Sequence, residues 1–229
     1  MTGGIIAAGE GSRLRADGWT EPKPLVRVAG VPLLETIVEN FTAAAITPLT
    51  IIVNEDEREC VAWARARFPR LDLRFIVKTT ASSLESFGEV TTAAPPGPMI
   101  VSTVDAWCRA EDFAAFVRAA RRRPADAVVL AVTPLVHDEK PLWVTLGPDR
   151  RVRRLGGAGG DAVTAGVYAI PARVRALERP PQLGRLREYL AWLVDNGEPV
   201  YAETIERVVD VDRGSDVALA ETMARGDRP

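Results

Sequence analysis

The 229-residue sequence predicts an α/β chain: a three-layer sandwich on a mixed, mostly parallel central sheet with a small antiparallel extension. Three observations carry this. Short apolar runs alternate with segments of helical period as far as about residue 133, which calls for parallel strands joined by right-handed crossovers. Beyond residue 134 two apolar runs flank Gly147-Pro148-Asp149, a hairpin signal. Hydrophobic residues make up 47%, enough for a sizeable core, and at roughly 150 residues per domain the chain reads as one elaborated domain over residues 1–229. Its two parts are an N-terminal half, 1–133, and a C-terminal half, 134–229, that supplies the extension and returns to the sheet.

Each element has its own cue. Ile5–Ala8 reads as a buried strand. Pro32 opens a helix whose Leu33, Leu34, Ile37, Val38 and Phe41 fall on one face. Leu49–Val53 is a strand, Asp56–Phe68 a helix closed by Pro69, and Leu71–Val77 a strand. Ser82–Ala93 is a helix, with Ser82 or Ser83 as N-cap, stopped by Pro95-Pro96-Gly97-Pro98. Met99–Val104, the helix Glu111–Arg122 and Ala127–Val132 follow. Leu142–Leu146 and Val152–Leu155 form the hairpin, and Gly156–Gly160 is a loop. Ala162–Ile170 is a strand, Leu186–Val194 a helix, Val200–Ile205 and Val208–Val211 strands, and Ser215–Ala224 the last helix. Trp63, Phe68, Phe113 and Phe116 read as core. Arg121-Arg122-Arg123 reads as a solvated helix end, where cations suit the macrodipole.

Composition excludes several function classes. Lys+Arg 29 against Asp+Glu 31 leaves a net charge of −2, so the global basic field used by nucleic-acid and anionic-membrane binders is missing. One histidine, His137, and two cysteines, Cys60 and Cys108, rule out a Cys/His zinc cluster and make a disulfide framework untenable. Any Ser-His or Cys-His pair would have to use His137. Chemistry here falls instead to carboxylates, cations, backbone amides or a bound metal. No apolar run approaches the roughly 20 residues of a membrane span, and the N-terminus lacks a cationic leader, so a cytoplasmic chain with no membrane partner is expected.

The first thirty residues carry most of the functional information. A strand enters a glycine-bearing turn, Ala7-Ala8-Gly9-Glu10-Gly11-Ser12-Arg13-Leu14, and Pro22-Lys23-Pro24-Leu25 follows, with Lys23 ten positions after Arg13. Small residues let a ligand approach the backbone, and consecutive amides form an anion nest. Arg13 offers a bidentate fork and Lys23 a compact charge for phosphate oxygens. Leu14 breaks the G-x-G-x-x-G dinucleotide fingerprint, and no Gly-Lys-Ser/Thr makes a P-loop.

This gapped pattern resembles the signature of nucleotidyltransferases with the GT-A-like, Rossmann-like fold, a group of sugar-1-phosphate nucleotidylyltransferases and related cytidylyltransferases. The resemblance implies that residues 1–133 bind nucleotide and 134–229 bind the acceptor. It implies transfer of an NMP group from an NTP to a phosphorylated sugar, polyol or alcohol, with release of pyrophosphate. Ala7, Ala8, Gly9, Gly11, Ser12 and Arg13 would hold the nucleotide, while Arg13, Lys23 and Asp105 would be catalytic. Asp105 stands at the C-terminal end of the strand Met99–Val104, where open α/β sheets bind ligands, and the family's aspartate there holds a divalent metal. Val104 stands where many members have glycine. Val209-Asp210-Val211-Asp212-Arg213-Gly214 resembles the family's late aspartate motif, although Arg213-Gly214 departs from it. Asp210 or Asp212, with Asp210 preferred, would complete a Mg²⁺ site with Asp105; Asp216 and Ser215 read as helix caps. Thr164-Ala165-Gly166-Val167-Tyr168 resembles the acceptor strand, so Gly166 and Lys23 would meet the acceptor; a bulge glycine is the alternative. Ser82-Ser83-Leu84 resembles the base-side segment of some cytidylyltransferases, which puts Ser83 at the nucleotide and favours CTP. An acceptor phosphate, with a second pKa of about 6, is already ionised and needs no histidine base.

Other readings compete. A glycosyltransferase using Asp210-x-Asp212 would share the fold but release no pyrophosphate. A molybdopterin-type acceptor is usually served by Asp-Lys rather than Pro22-Lys23-Pro24-Leu25. A non-catalytic regulator binding nucleotide or sugar phosphate would have no use for the aspartates. Trp19, between Arg13 and Lys23, reads either as a residue closing over nucleotide or as a loop aromatic. His137-Asp138-Glu139-Lys140 reads as a loop, with acceptor binding the minor reading. The expected assembly is a monomer or homodimer.

Overall fold

A computed structural model describes residues 1–226. β1 (Thr2–Ala7) leads to the short helix α1 (Ser12–Ala16), a 3-10 turn at Lys23–Leu25, and a small hairpin of β2 (Arg27–Val28) and β3 (Val31–Pro32). Then come α2 (Leu33–Ala43), β4 (Leu49–Val53), α3 (Glu59–Arg67), β5 (Leu73–Val77), α4 (Ser83–Ala93) and β6 (Met99–Thr103). β7 (Ala106–Cys108), α5 (Ala110–Ala120) and β8 (Val128–Thr133) complete the first half. The second half holds β9 (Trp143–Leu146), β10 (Val152–Leu155), β11 (Ala162–Ile170), α6 (Ala172–Arg175) and α7 (Leu186–Asp195). It ends with β12 (Val200–Thr204), β13 (Val208–Asp210) and α8 (Gly214–Ala224).

Both halves feed one nine-stranded sheet. β5, β4, β1 and β6 run parallel in that order. β11 then inserts antiparallel to β6. Along its other edge β11 pairs with β8, which pairs in parallel with β12. The N-terminal end of β11 also takes the β9–β10 hairpin. Buried runs alternate their side chains between faces. Ile5, Ile51 and Ile100 pack with Phe41, Phe113, Phe116 and Met223 under α2, α5 and α8. Ile6, Ile52 and Val101 pack with Phe87, Tyr189, Leu190 and Leu193 under α4 and α7. Sandwich, mixed sheet and antiparallel extension therefore agree with the sequence reading.

Four details differ from it. The helix expected over Asp56–Phe68 is split into a 3-10 turn, Glu55–Glu57, and α3, because the Asn54 side chain accepts the Asp56 N–H and caps the turn. Trp63 and Phe68 are only partly buried, edge to face with each other, as a satellite of the core. Arg123 is not a free solvated charge: it pairs with Glu203 at 2.6 Å and lies over the Tyr201 ring. The strand β7 was too short to show periodicity, yet it pairs antiparallel with β13 and so joins positions a hundred residues apart.

Gly166 sits in an irregularity of β11, where Thr164 opposes Val132 but Tyr168 opposes Leu130. Its φ is +67°, and a Cβ there would lie 2.7 Å from both Ala106 Cβ and Thr103 Oγ1. Gly166→Ala should therefore lose at least about 2 kcal/mol, from the left-handed backbone and from overpacking together. Gly159→Ala, in open space, should stay within about 0.5 kcal/mol. Urea unfolding of both variants checks the difference.

Candidate active site

The C-terminal edge of the parallel strands holds the site. β1 ends at buried Ala7, and Ala8 is buried behind it, while Gly9, Glu10 and Ser12 are exposed. The N–H groups of Gly9, Glu10 and Gly11 make no hydrogen bond to other described residues, which leaves a row of donors for an anion. Gly11, at φ +62°, turns the chain into α1, and buried Leu14 anchors that helix to the core. This fixes the stem of Arg13. The chain returns past half-buried Trp19, whose indole lies beside Gly214 and packs on the core. Asp17 Oδ2 accepts the Gly214 N–H at 2.9 Å, so the arm is latched to the start of α8. The turn at Lys23–Leu25 then buries Lys23 to 8% exposure.

Lys23 Nζ lies 2.5 Å from Asp105 Oδ2 and also pairs with Asp212 Oδ1. Arg13 Nη1 takes the other Asp212 oxygen at 3.0 Å. Asp210 joins the group through strand pairing: it stands opposite Ala106 in the β13–β7 ladder, and the Val211 N–H donates to Asp105 O at 3.0 Å. The structure thus brings Arg13, Lys23, Asp105, Asp210 and Asp212 together from four separate segments. Asp216, at the third position of α8, accepts N–H bonds from Asp212 (2.9 Å) and Arg213 (2.7 Å), so it caps α8 and holds the aspartate loop.

The charges settle unequally. Burial pulls the Lys23 pKa down, but Asp105 and Asp212 outweigh it and hold the ammonium above its usual range. Burial works against ionised Asp105, and the Lys23 charge with hydrogen bonds from Lys23 and Thr103 overcomes it, so Asp105 stays below the usual carboxylate range. Asp210 has no such partner. Burial first, then the Asp105 charge, push it up to about 8. Its Oδ1 is buried with no hydrogen-bond partner.

Those carboxylates fit a hard divalent cation. Mg²⁺ binds through one or two carboxylates plus substrate phosphates rather than in an all-protein cage. An orphaned buried Asp210 oxygen beside Asp105 suits that mode, and no cluster of three or more His, Cys, Asp or Glu poised for a metal exists among the described residues.

A groove continues from Asp105 past Gly166, Thr164 and Tyr168 to Arg185 and Arg187 at α7. Ser83 lines it too, with its hydroxyl accepting the Leu186 N–H at 3.1 Å, while Ser82 is the N-cap of α4. Asn54, Asp17 and Thr103 escaped sequence reasoning. Asn54 is buried, bonded to the Thr79 hydroxyl at 3.0 Å and within 3.5 Å of Ala8 O. Its signal was available: it directly follows the buried run Leu49–Val53, as Asp105 follows Met99–Val104.

A carboxyl group whose pKa rises on folding prefers the proton in the folded state. Asp210 therefore costs no stability below about pH 4, and the cost grows as pH rises towards about 8, where it levels off. Asp210→Asn should raise the melting temperature by several degrees at pH 8, at roughly 2–4 °C per kcal/mol relieved, and by little at pH 4. Thermal melts at the two pH values, without added metal, read this directly.

Comparison with known proteins places the chain in a family. The chain is 29% identical over 97% of its length to a bifunctional IPC transferase and DIPP synthase of Rubrobacter xylanophilus, of which it covers 51%. It is 30% identical over 35% of its length to a 2-aminoethylphosphonate cytidylyltransferase of Lancefieldella rimae, covering 34% of that protein. The chain thus spans about half, or less, of the curated relatives it matches. Among solved structures, an inositol-1-phosphate CTP transferase from T. maritima superposes with a TM-score of 0.82 at 17% identity, over 100% of this chain and 98% of that one. A putative glucose-1-phosphate thymidylyltransferase from Bacillus anthracis superposes with a TM-score of 0.84 at 16% identity, over 100% and 96%. The family model described as MobA-like NTP transferase domain matches residues 3–177, more than half of the chain. With the glycine turn, the Lys23 arm and the aspartates at one sheet edge, the chain belongs to the MobA-like NTP transferase domain family.

Proposed function

We propose that this protein transfers an NMP group from an NTP to a phosphorylated sugar, polyol or alcohol and releases pyrophosphate. The observation that carries the reading is Lys23 held between Asp105 and Asp212, with Arg13 on the same Asp212, beside a turn of unpaired amides. Such a set has cations for a triphosphate and carboxylates for its metal. CTP is the favoured donor, supported by the Ser82-Ser83-Leu84 segment and by the partial likeness to a cytidylyltransferase. We place the reaction in the cytoplasm, where NTPs are available, with the chain acting as a monomer or homodimer; no helix of the described residues is long and apolar enough to cross a membrane.

In the reaction an acceptor phosphate oxygen bonds to the α-phosphorus, and the bond from that phosphorus to pyrophosphate breaks with its electron pair on the leaving group. The Gly9–Gly11 amides and Arg13 take the triphosphate. Arg13 is 41% exposed and spends one nitrogen on Asp212, so the rest of its fork is available to the departing pyrophosphate. Lys23 neutralises charge where acceptor and α-phosphate meet, and Asp105 keeps it charged and aimed. Asp105 with Asp210 or Asp212 would hold Mg²⁺, which when bound neutralises phosphate oxygens. No residue need remove a proton, in keeping with a single histidine outside this cluster.

Loss of one preorganised charged group costs about 10²–10³ in rate. A pyrophosphate-release screen of four NTPs with Mg²⁺ against phosphorylated sugars and alcohols should find a productive pair. Lys23→Ala and Asp105→Ala should each lose at least that factor while circular dichroism stays native. Wild-type rates in either variant would remove that residue from the mechanism, and absence of pyrophosphate with every pair would overturn the reading.

A further inference from the structure

Residues 134–141 connect β8 to β9, with His137, Asp138 and Glu139 lining the cavity by Asp210 and Asp212, and Asp138 and Pro141 lining the groove by Asp105. Three of the four central residues are bonded to fixed elements. His137 Nε2 is 2.8 Å from Asp216 Oδ1 in α8. Glu139 Oε1 pairs with Arg213 Nη2 at 2.8 Å where α8 starts. Lys140 O accepts from Arg187 Nη1 of α7 at 3.1 Å. The segment is therefore a strap tied to α8 at one end and α7 at the other, lining the same cavity as Asp210 and Asp212.

Asp138 is the residue between these ties. Asp138 lines the cavity that Asp212 and Asp216 line, and also the groove that Asp105, Gly166 and Tyr168 line. Oδ1 accepts the Lys140 N–H at 3.0 Å, while Oδ2 has no hydrogen-bond partner among the described residues. Unlike Asp105, which Lys23 neutralises, Asp138 has no cation paired with it among the described residues, so its charge disfavours a bare phosphoryl group beside it. Arg185 and Arg187, at the α7 end of the same groove, carry the opposite charge. An acid that is wrong for phosphate is right for a hydrogen-bond donor, and a carboxylate accepts from hydroxyl and ammonium alike.

We infer that Asp138 reads the acceptor: held by the strap, its free oxygen accepts a hydrogen bond from a hydroxyl or ammonium on the part of the acceptor that carries no phosphate. This rests on the transfer reading above and deepens it. An acceptor with such a donor is selected over one without it, and His137, through Asp216, is a positioning residue for the strap.

The test compares wild type, Asp138→Ala, Asp138→Asn and His137→Ala with CTP and Mg²⁺. Three probes are offered: inositol 1-phosphate with hydroxyl donors, 2-aminoethylphosphonate with an ammonium, and ethyl phosphate with neither. Calorimetric binding and pyrophosphate release are both read. Wild type should prefer one of the first two over ethyl phosphate, and Asp138→Ala should reduce that preference about ten- to a hundredfold, the span of a hydrogen bond to a charged group. Asp138→Asn, which keeps an acceptor oxygen but no charge, should restore much of a preference for inositol 1-phosphate and little of one for 2-aminoethylphosphonate. His137→Ala should lower the same preference through the acceptor KM rather than kcat. A preference unchanged in Asp138→Ala, or a wild type with no preference in binding or turnover, overturns the inference. Selective binding lost in Asp138→Ala, without turnover by wild type, supports the inference and overturns the transfer reading.

Discussion

Lys23 is a buried ammonium, and a buried cation is sustained only where anions meet it. Asp105 and Asp212 do so, from loops 82 and 189 residues away along the chain. Everything else about the site follows from the need to bring these three groups to one point. β1 and β6 run parallel and side by side, so the turns after them open at the same sheet edge and put the glycine loop beside Asp105. The short β7–β13 ladder closes the remaining gap by pairing Asp210 with Ala106. Arg13 then ties the glycine arm to Asp212, and Asp17 ties it to Gly214.

The same arrangement leaves one carboxyl out. Lys23 pairs with Asp105 and Asp212, and Asp210 is left without a cation, its carboxyl pushed up by burial and by the Asp105 charge and its Oδ1 orphaned. A fold built for stability alone would place an apolar residue there. A divalent cation with phosphate oxygens, held as proposed by Asp105 with Asp210 or Asp212, would supply the charge that Asp210 lacks.

Much of this was legible in the sequence because the signals were local. A glycine turn after a buried strand, a lysine between two prolines, and an aspartate at the end of an apolar run each announce themselves within a few residues. Helix and strand periods gave the sandwich, and Ala162–Ile170 was read to its ends because the run is nine residues of uninterrupted small and apolar side chains. What stayed hidden was non-local. Three-residue β7 has no period, so its pairing with β13 could not be seen. Asp17 and Asn54 look like ordinary loop residues until their partners, Gly214 and Thr79, arrive from elsewhere. The sequence marks His137-Asp138-Glu139-Lys140 only as a loop, because His137, Glu139 and Lys140 gain their partners only when α7 and α8 are in place.

The central claim is that the Lys23–aspartate cluster is the seat of a metal–triphosphate complex. Calorimetry of CTP with wild-type protein, with and without Mg²⁺, and again with Asp210→Asn, tests it most directly. The account predicts that Mg²⁺ tightens CTP binding at least about tenfold, some 1.4 kcal/mol, and that Asp210→Asn loses most of this gain. CTP bound equally well in both conditions, with Asp210→Asn unchanged, would make this a metal-independent nucleotide site and contradict the account.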